Sequence, residues 1–349
     1  MKKIIIGFFL VSVFSSCITS NITVNVQRPA DITVSQDIQN VVIANRSRPS
    51  KENLTGNIVE GIISGEGIGT DRRGAESCID GLINMLSKSE RFTLKIKDVI
   101  ELKGTGIASF PIPLEWNIVQ SLCDPYDADA LIVLATFDSD SRSYVGNPVT
   151  ITRKKKGVKV KTLRYPAYRD ITIESGWRIY DLKNKRIVDE NKFTENKEFS
   201  AWADSPKAAQ ISLLSQGSAI RESGIFAGTQ YGFRISPIWI KARRAYFTGK
   251  HDDLKLANKY IKKGDWDSAI TLWKDLVNSA DEKTARRSAY NMAIASEIKG
   301  GLDAAIEWAK KAQNLGEKKA HNYINVLNRR KIDKEKLKQQ LNYGESGIA

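Results

Sequence analysis

Ala130-Leu131-Ile132-Val133-Leu134-Ala135-Thr136-Phe137 is the stretch on which the fold turns. It carries no charge, is rich in aliphatic side chains and follows the polar Asp127-Ala128-Asp129, a pattern that suits a strand covered on both faces at the centre of a sheet. Reading upstream, Val41-Val42-Ile43 within residues 38–44 predicts a second buried strand, and residues 92–96 alternate as a third. Residues 58–63 form a further apolar stretch. Gly65-Glu66-Gly67-Ile68-Gly69 then leads into an amphipathic helix over about 72–88, and Pro111 and Pro113 introduce a short helix with Leu114, Ile118, Val119 and Leu122.

Downstream, residues 149–153 and 158–163 flank Lys154-Lys155-Lys156-Gly157 as a hairpin with a basic tip. Residues 171–180 and 186–194 predict another, turned at 181–185. Asp138, Asp140 and Arg142, just past the central strand, read as a polar turn. Residues 208–230 read as one helical stretch, whereas 237–247 fits neither strand nor helix decisively. Residues 18–37 look like a polar, extended tether.

Beyond about residue 250 the pattern is helical and repeats itself. Ala257, Tyr260, Gly264-Asp265-Trp266, Ala269 and Trp273 correspond to Ala293, Ser296, Gly300-Gly301-Leu302, Ala305 and Ala309 at a constant offset of 36 residues. This resembles the tetratricopeptide repeat, a two-helix unit of about 34 residues with small residues where helices cross. Ser296 and Ala309 depart from the larger residues usual there. Two units are fewer than the roughly three a free-standing array needs, so the array is expected to lean on the preceding domain or on a terminal helix over 319–341. In that helix Arg329-Arg330-Lys331 and residues 334–338 read as a solvated basic face. The expected fold is α+β: a signal over 1–16, a tether over 17–37, an N-terminal α/β sandwich-type domain (a mixed sheet flanked by helices) over 38–240, and an all-α tetratricopeptide-repeat-like domain over 241–349.

The N-terminus supplies an address. Met1-Lys2-Lys3, an apolar run over 4–14 and Ser15-Ser16-Cys17 have the charge, hydrophobic and small-residue order of an export signal. The run of 11 residues is too short to cross a hydrocarbon core as a helix. Phe14, Ser16 and Cys17 resemble the cleavage box of bacterial lipoproteins, which implies lipid (palmitate among it) on Cys17 as the first mature residue. The alternative is an ordinary secretory signal with an incidental Cys17. The expected location is the cell envelope, membrane-anchored, at the outer membrane facing the periplasm.

Loss of Lys2 and Lys3 lowers the formal charge from +14 to +12. An exported basic chain has little occasion to meet nucleic acid, so anionic lipid or envelope polymer, or plain solubility, accounts for the charge. Apart from Cys17 there are Cys78 and Cys123. They could pair in an oxidising compartment, although Cys78 among Ala75, Ile79, Leu82, Ile83 and Leu86 suits a buried thiol better.

Nothing in the sequence assembles a reaction centre. His251 and His321 are the two histidines, both in the repeat region, and no metal-ligand spacing or nucleophile turn appears. The glycine-rich 65–69 loop before a helix could cradle phosphate, but it lacks the lysine of a phosphate-binding loop. No catalytic, cofactor or metal residue is nominated, and the expectation is a non-enzymatic protein.

Taken together, Ile43-Ala44-Asn45-Arg46, Gly65-Glu66-Gly67-Ile68-Gly69, Gly81-Leu82 and residues 237–246 resemble a family of Bacteroidetes envelope lipoproteins with C-terminal tetratricopeptide repeats. That resemblance implies an address rather than a mechanism. More distantly, Val41, Ser89-Glu90-Arg91-Phe92, Asp127-Ala128-Asp129-Ala130-Leu131 and Arg178-Ile179-Tyr180-Asp181 resemble the α/β domain of curli-secretion and penicillin-binding-protein-activator lipoproteins, which implies a protein-binding sheet domain.

The expected role is therefore a lipid-anchored envelope adaptor or scaffold that grips a protein partner through its helical repeats, in envelope assembly or maintenance. By matching repeat positions, the gripping residues are Asn258, Ile261, Lys262, Arg287, Tyr290, Ile294 and Glu297, unless they pack against the chain itself. The second expectation is an oligomeric structural or secretion-assembly lipoprotein of the curli-secretion type. The third is a glycan- or phosphate-processing enzyme, which would place acids near Glu66, Asp138 and Asp140 in one site.

Overall fold

In the computed structural model, residues 19–49, 69–95, 98–104, 109–155 and 157–341 are described. The apolar stretch at 58–63, most of the glycine-rich loop and Cys17 lie outside them. The chain divides into a sheet unit, residues 28–238 with 337–343, and a helical unit, residues 1–27 and 239–336 with 344–349. It is α+β: a mixed sheet with helices, followed by an all-helical C-terminal region.

In the sheet unit, β2 (Asn40–Pro49) and β5 (Ala130–Val145) run parallel, with Val41 beside Ala130 and Asn45 beside Leu134. Two short strands, β3 (Thr93–Leu94) and β4 (Ile100–Gly104), lie parallel to β2 on its other side. Beyond β5 the sheet turns antiparallel through β7 (Val158–Asp181) and β8 (Arg186–Ala203), while β6 (Val149–Lys155) pairs with the start of β7. Seven strands result among the described residues.

Because successive side chains in a strand point to opposite faces, the central run feeds two cores. Val41, Ile43, Ile132 and Leu134 face one layer, formed by α1 (Thr70–Leu86) and α4 (Gln216–Ile235); Val42, Ala44, Leu131 and Val133 face α2 (Trp116–Cys123). Trp177 of β7 stacks on Tyr231 of α4 with ring centres 4.6 Å apart and 8° between the planes. Helices α1 and α4 meet at backbone contact. Gly74 and Gly81 on one face Gly224, Gly228 and Gly232 on the other, and a Cβ at Gly228 would collide with the carbonyl oxygen of Cys78. A four-residue glycine spacing on one helix face is what such an approach requires.

Several expectations are corrected. The two hairpins predicted around 149–163 and 171–194 share one strand, since β7 runs unbroken for 24 residues. Pro166 falls at the gap between the end of β5 and the start of β6, and its carbonyl accepts the Gly146 N–H at 2.9 Å. The polar turn expected at Asp138 and Asp140 is absent because β5 continues to Val145. The helical stretch at 208–230 divides into α3 (Pro206–Ser212) and α4, each opened by a serine, Ser205 or Ser215, whose hydroxyl accepts a backbone N–H of the first turn. Leu213 between them is extended.

The segment read as a tether is structured from Thr19. Ile22, Val24 and Val26 alternate with Asn21, Thr23 and Asn25, and this strand, β1 (Thr19–Arg28), pairs with β9 (Ile238–Phe247), the undecided connector. Val24 and Val26 are buried, as are Ala30 and Val34 in the sheet unit.

The helical unit contains α5 (Asp252–Lys262), α6 (Trp266–Leu276), α7 (Glu282–Ile298), α8 (Leu302–Asn314) and most of α9 (Lys318–Gln340). The 36-residue correspondence is reproduced in the glycine turns. Gly264 (φ +80°) and Gly300 (φ +83°) occupy the left-handed region. Asp265 N–H reaches Tyr260 O at 3.0 Å, as Gly301 N–H reaches Ser296 O at 2.9 Å. Ala257, Ala269, Ala293, Ala305 and Ala309 are fully buried at the helix crossings.

Candidate interaction surfaces

The helical unit fills its own inner face. Phe247 at the end of β9 packs edge-on against Tyr290 with ring centres 5.5 Å apart, and Tyr290 meets Tyr323 of α9 at 5.4 Å. The buried Asn291 takes the place of a neighbouring strand: it accepts the Phe247 N–H at 2.8 Å and donates to the Phe247 carbonyl at 2.7 Å.

Under this layer lies Glu297, whose side chain has 0% exposure. It accepts from Arg244 Nε and Nη2 at 2.8 Å, from Arg330 Nη1 at 2.5 Å and from the Tyr323 hydroxyl at 2.5 Å. Burial alone would raise its pKa, but the bonds from Arg244, Tyr323 and Arg330 outweigh burial and hold the carboxyl below its ordinary value. The same surroundings push the Tyr290 phenol up to about 12, through burial first and then the charges of Glu317 and Glu297.

The nominated gripping residues are therefore placed as follows. Ile261, Tyr290, Ile294 and Glu297 are buried. Asn258 is half-buried and accepts the Tyr246 hydroxyl at 2.7 Å, and the Arg287 guanidinium lies 5.1 Å from the centre of the Phe247 ring. Lys262 is exposed. The expectation of an open gripping face at the buried four is corrected: Ile261, Tyr290 and Ile294 pack in the unit's own core, and at Glu297, where the first unit has Ile261, the carboxylate draws in cations from β9 and α9. Arg330, expected on a solvated face, is one of them. Asn291 and Arg244 were missed, and the signal for Asn291 was a lone amide in the alanine-rich α7. Outward-facing apolar residues of the unit include Leu256 on α5 and Val326 and Ile332 on α9, with Trp239 and Ile240 at the start of β9.

In the sheet unit, Asp138 and Asp140 lie on the open face of β5, opposite Glu174 and Thr172 of β7. Crowding among the strands, then the charges of Glu174 and Asp140, keeps the Asp138 carboxyl above its usual range. Lys192 reaches Glu174 at 2.6 Å. Glu66, the third acid of the enzymatic expectation, lies outside the described residues, as do Gly65, Gly67 and Ile68. Gly69 begins α1 without a side-chain cap, and the first-turn Asp71 instead accepts the Ser139 hydroxyl.

Cys78 and Cys123 are free and buried. Cys78 belongs to the core on one face of the sheet and Cys123 to the core on the other, so β2 and β5 separate them and a disulfide does not form. Desolvation raises both thiols, that of Cys123 to about 12, with the charges of Asp124 and Asp129 adding to it.

At its far end the sheet narrows to a two-stranded ribbon. Among the described residues, 158–164 of β7 pair with β6 alone, from Lys155 opposite Val158 to Val149 opposite Arg164. Val149, Val158, Val160 and Leu163 are exposed there.

Sequence comparison connects this architecture to a family. Residues 38–247, well over half of the chain, match the domain of unknown function DUF8603. The chain belongs to the DUF8603 family. The DUF8603 segment covers the sheet from β2 onward and ends with β9, so the family domain includes Phe247, the residue clamped by Asn291. Residues 255–343 match a second domain of unknown function, DUF6340, which spans the helices from α5 through α9. No curated protein matches the sequence. Among solved structures, a neuraminyllactose-binding hemagglutinin homolog from Helicobacter pylori aligns over 57% of this chain and 81% of its own at 10% identity, with a TM-score of 0.22. That score is too low to establish a common fold.

Proposed function

We propose that this DUF8603 protein is a lipid-anchored envelope adaptor or scaffold, held to the membrane through Cys17, that presents its helical unit to a protein partner. The observation that carries the reading is the pair of two-helix units with matching left-handed glycine turns at Gly264 and Gly300, an arrangement suited to displaying a rigid helical surface. Since Ile261, Tyr290, Ile294 and Glu297 are used internally, the partner meets the outward residues: Lys262 and Leu256 on α5, and Val326 and Ile332 on α9.

The test is photocrosslinking in living cells from a photoreactive residue at Lys262 or at Ile332, read by mass spectrometry. One discrete protein captured from either position, and not from Lys192 on the open sheet face, supports the adaptor. Absence of any discrete product from both positions refutes it. The anchor is read separately, as acyl mass on the N-terminal peptide that Cys17→Ser removes.

A second reading, an oligomeric assembly lipoprotein, is favoured by β8, an 18-residue strand paired among the described residues on one side only, with β7. Charges along it, among them Lys192, Glu195, Lys197 and Glu198, oppose edge-to-edge pairing. Sedimentation of the non-acylated chain as a monomer excludes this reading.

A further inference from the structure

We infer that the β6–β7 ribbon is a docking element for the surface of an anionic lipid bilayer. The inference adds a second membrane contact to the anchored reading above but does not need the acyl group, because it stands on the ribbon alone.

Residues 149–164 contain seven cations and no carboxylate. Arg164 is engaged by Asp204 at 2.9 Å. Arg153, Lys154, Lys159 and Lys161 have no acidic partner among the described residues. The register sets Lys154 directly opposite Lys159, a like-charge cross-strand pair that is destabilising in water and is relieved where an anionic surface lies against it.

The apolar content decides between kinds of polyanion. Val149, Ile151, Val158 and Val160 share one face of the ribbon with Arg153, while Lys154, Lys159 and Lys161 share the other with Leu163. Val158 is 65% exposed and Leu163 is 49% exposed. A phosphate or sulfate polymer has no use for exposed valines, whereas a bilayer interface takes both groups at once, cations among the headgroups and apolar side chains at the acyl boundary. The cations on both faces make a spanning arrangement unfavourable, so the ribbon lies at the surface. Its continuity with β7, which the sheet holds on both sides from Ala167 onward, keeps the two strands in place.

The test uses the mature chain with Cys17→Ser, mixed with vesicles of phosphatidylcholine alone or of phosphatidylcholine with phosphatidylglycerol. Co-sedimentation with the anionic vesicles and not with the neutral ones is expected. Replacing Arg153, Lys154, Lys159 and Lys161 together by Thr is expected to weaken binding at least about tenfold, since each cation contributes separately near such a surface. Val158→Ser with Val160→Ser is expected to weaken it while leaving the salt dependence unchanged. Circular dichroism identical to that of the parent shows that the exposed substitutions leave the fold intact.

No binding to anionic vesicles, or equal binding by the four-cation variant, overturns the inference. So does binding to a soluble sulfated polysaccharide that matches the vesicles in strength and is indifferent to the valines, which would make the ribbon a polymer site. Acylation of Cys17 in cells is unaffected by any of these results, so failure of the ribbon and failure of the anchor are distinguishable.

Discussion

Arg330 donates to Glu297 across 2.5 Å in the interior of the helical unit, and Arg244 holds the same carboxylate from the β9 side at 2.8 Å. A buried carboxylate between two arginines stabilises only while all partners are present, because removing the anion leaves two cations uncompensated. Glu297→Ala is expected to cost about 3–5 kcal/mol. Chemical denaturation followed at the tryptophans of the helical unit checks it, and an unchanged midpoint refutes the account.

The same cluster sets a pH dependence. A glutamate whose folded pKa lies below its ordinary value of 4.5 contributes stability that is complete above that value and is lost as the pH falls through the folded pKa. Urea midpoints of the native chain should therefore decline as the pH drops below about 4.5, and Glu297→Gln should flatten that decline while lowering stability at neutral pH.

Gly228 leaves no room for a methyl group against the Cys78 carbonyl. Gly228→Ala is expected to force α1 and α4 apart and to cost about 1–3 kcal/mol, or more if the backbones cannot separate. Gly217→Ala, also in α4 but with open space around its Cβ position, should instead stabilise by about 0.5–1 kcal/mol. Opposite signs from two substitutions in one helix would separate close packing from helix propensity. Like signs would sink the explanation.

Burial of Cys78 and Cys123 with raised thiol pKa values leaves little thiolate near neutral pH. In the Cys17→Ser chain neither should react with a thiol reagent at pH 8 under native conditions, and both should react after unfolding. A rapid native reaction at either one would contradict its placement.

Much of the fold was legible because its signals were local. The uncharged run at 130–137 and Val41-Val42-Ile43 announced buried central strands, and the 36-residue glycine and alanine correspondence announced paired helices. What stayed hidden depends on partners distant in the chain. The alternation of Ile22, Val24 and Val26 was visible, but its partner β9 lies more than two hundred residues away, and without it the segment read as a tether. β9 itself mixes Lys241, Arg243 and Arg244 with apolar residues, since Arg244 turns inward to a carboxylate 53 positions on. Glu297 and Tyr290 were nominated for a partner because repeat position predicts which way a helix face points, not what already covers it. The ribbon cations were legible as charge, but their freedom from acidic neighbours needed the register.

β7 runs unbroken from the two-stranded ribbon into the body of the sheet. At about 3.3 Å per residue its 24 residues extend roughly 80 Å, from the exposed ribbon to Tyr180 inside the core. Tension applied to the ribbon along that axis would load the hydrogen bonds from β7 to β5 and to β8 simultaneously, in shear, instead of unzipping them one after another. The strand is thus built as a tensile member, able to carry mechanical load from the tip of the sheet into its interior without local peeling.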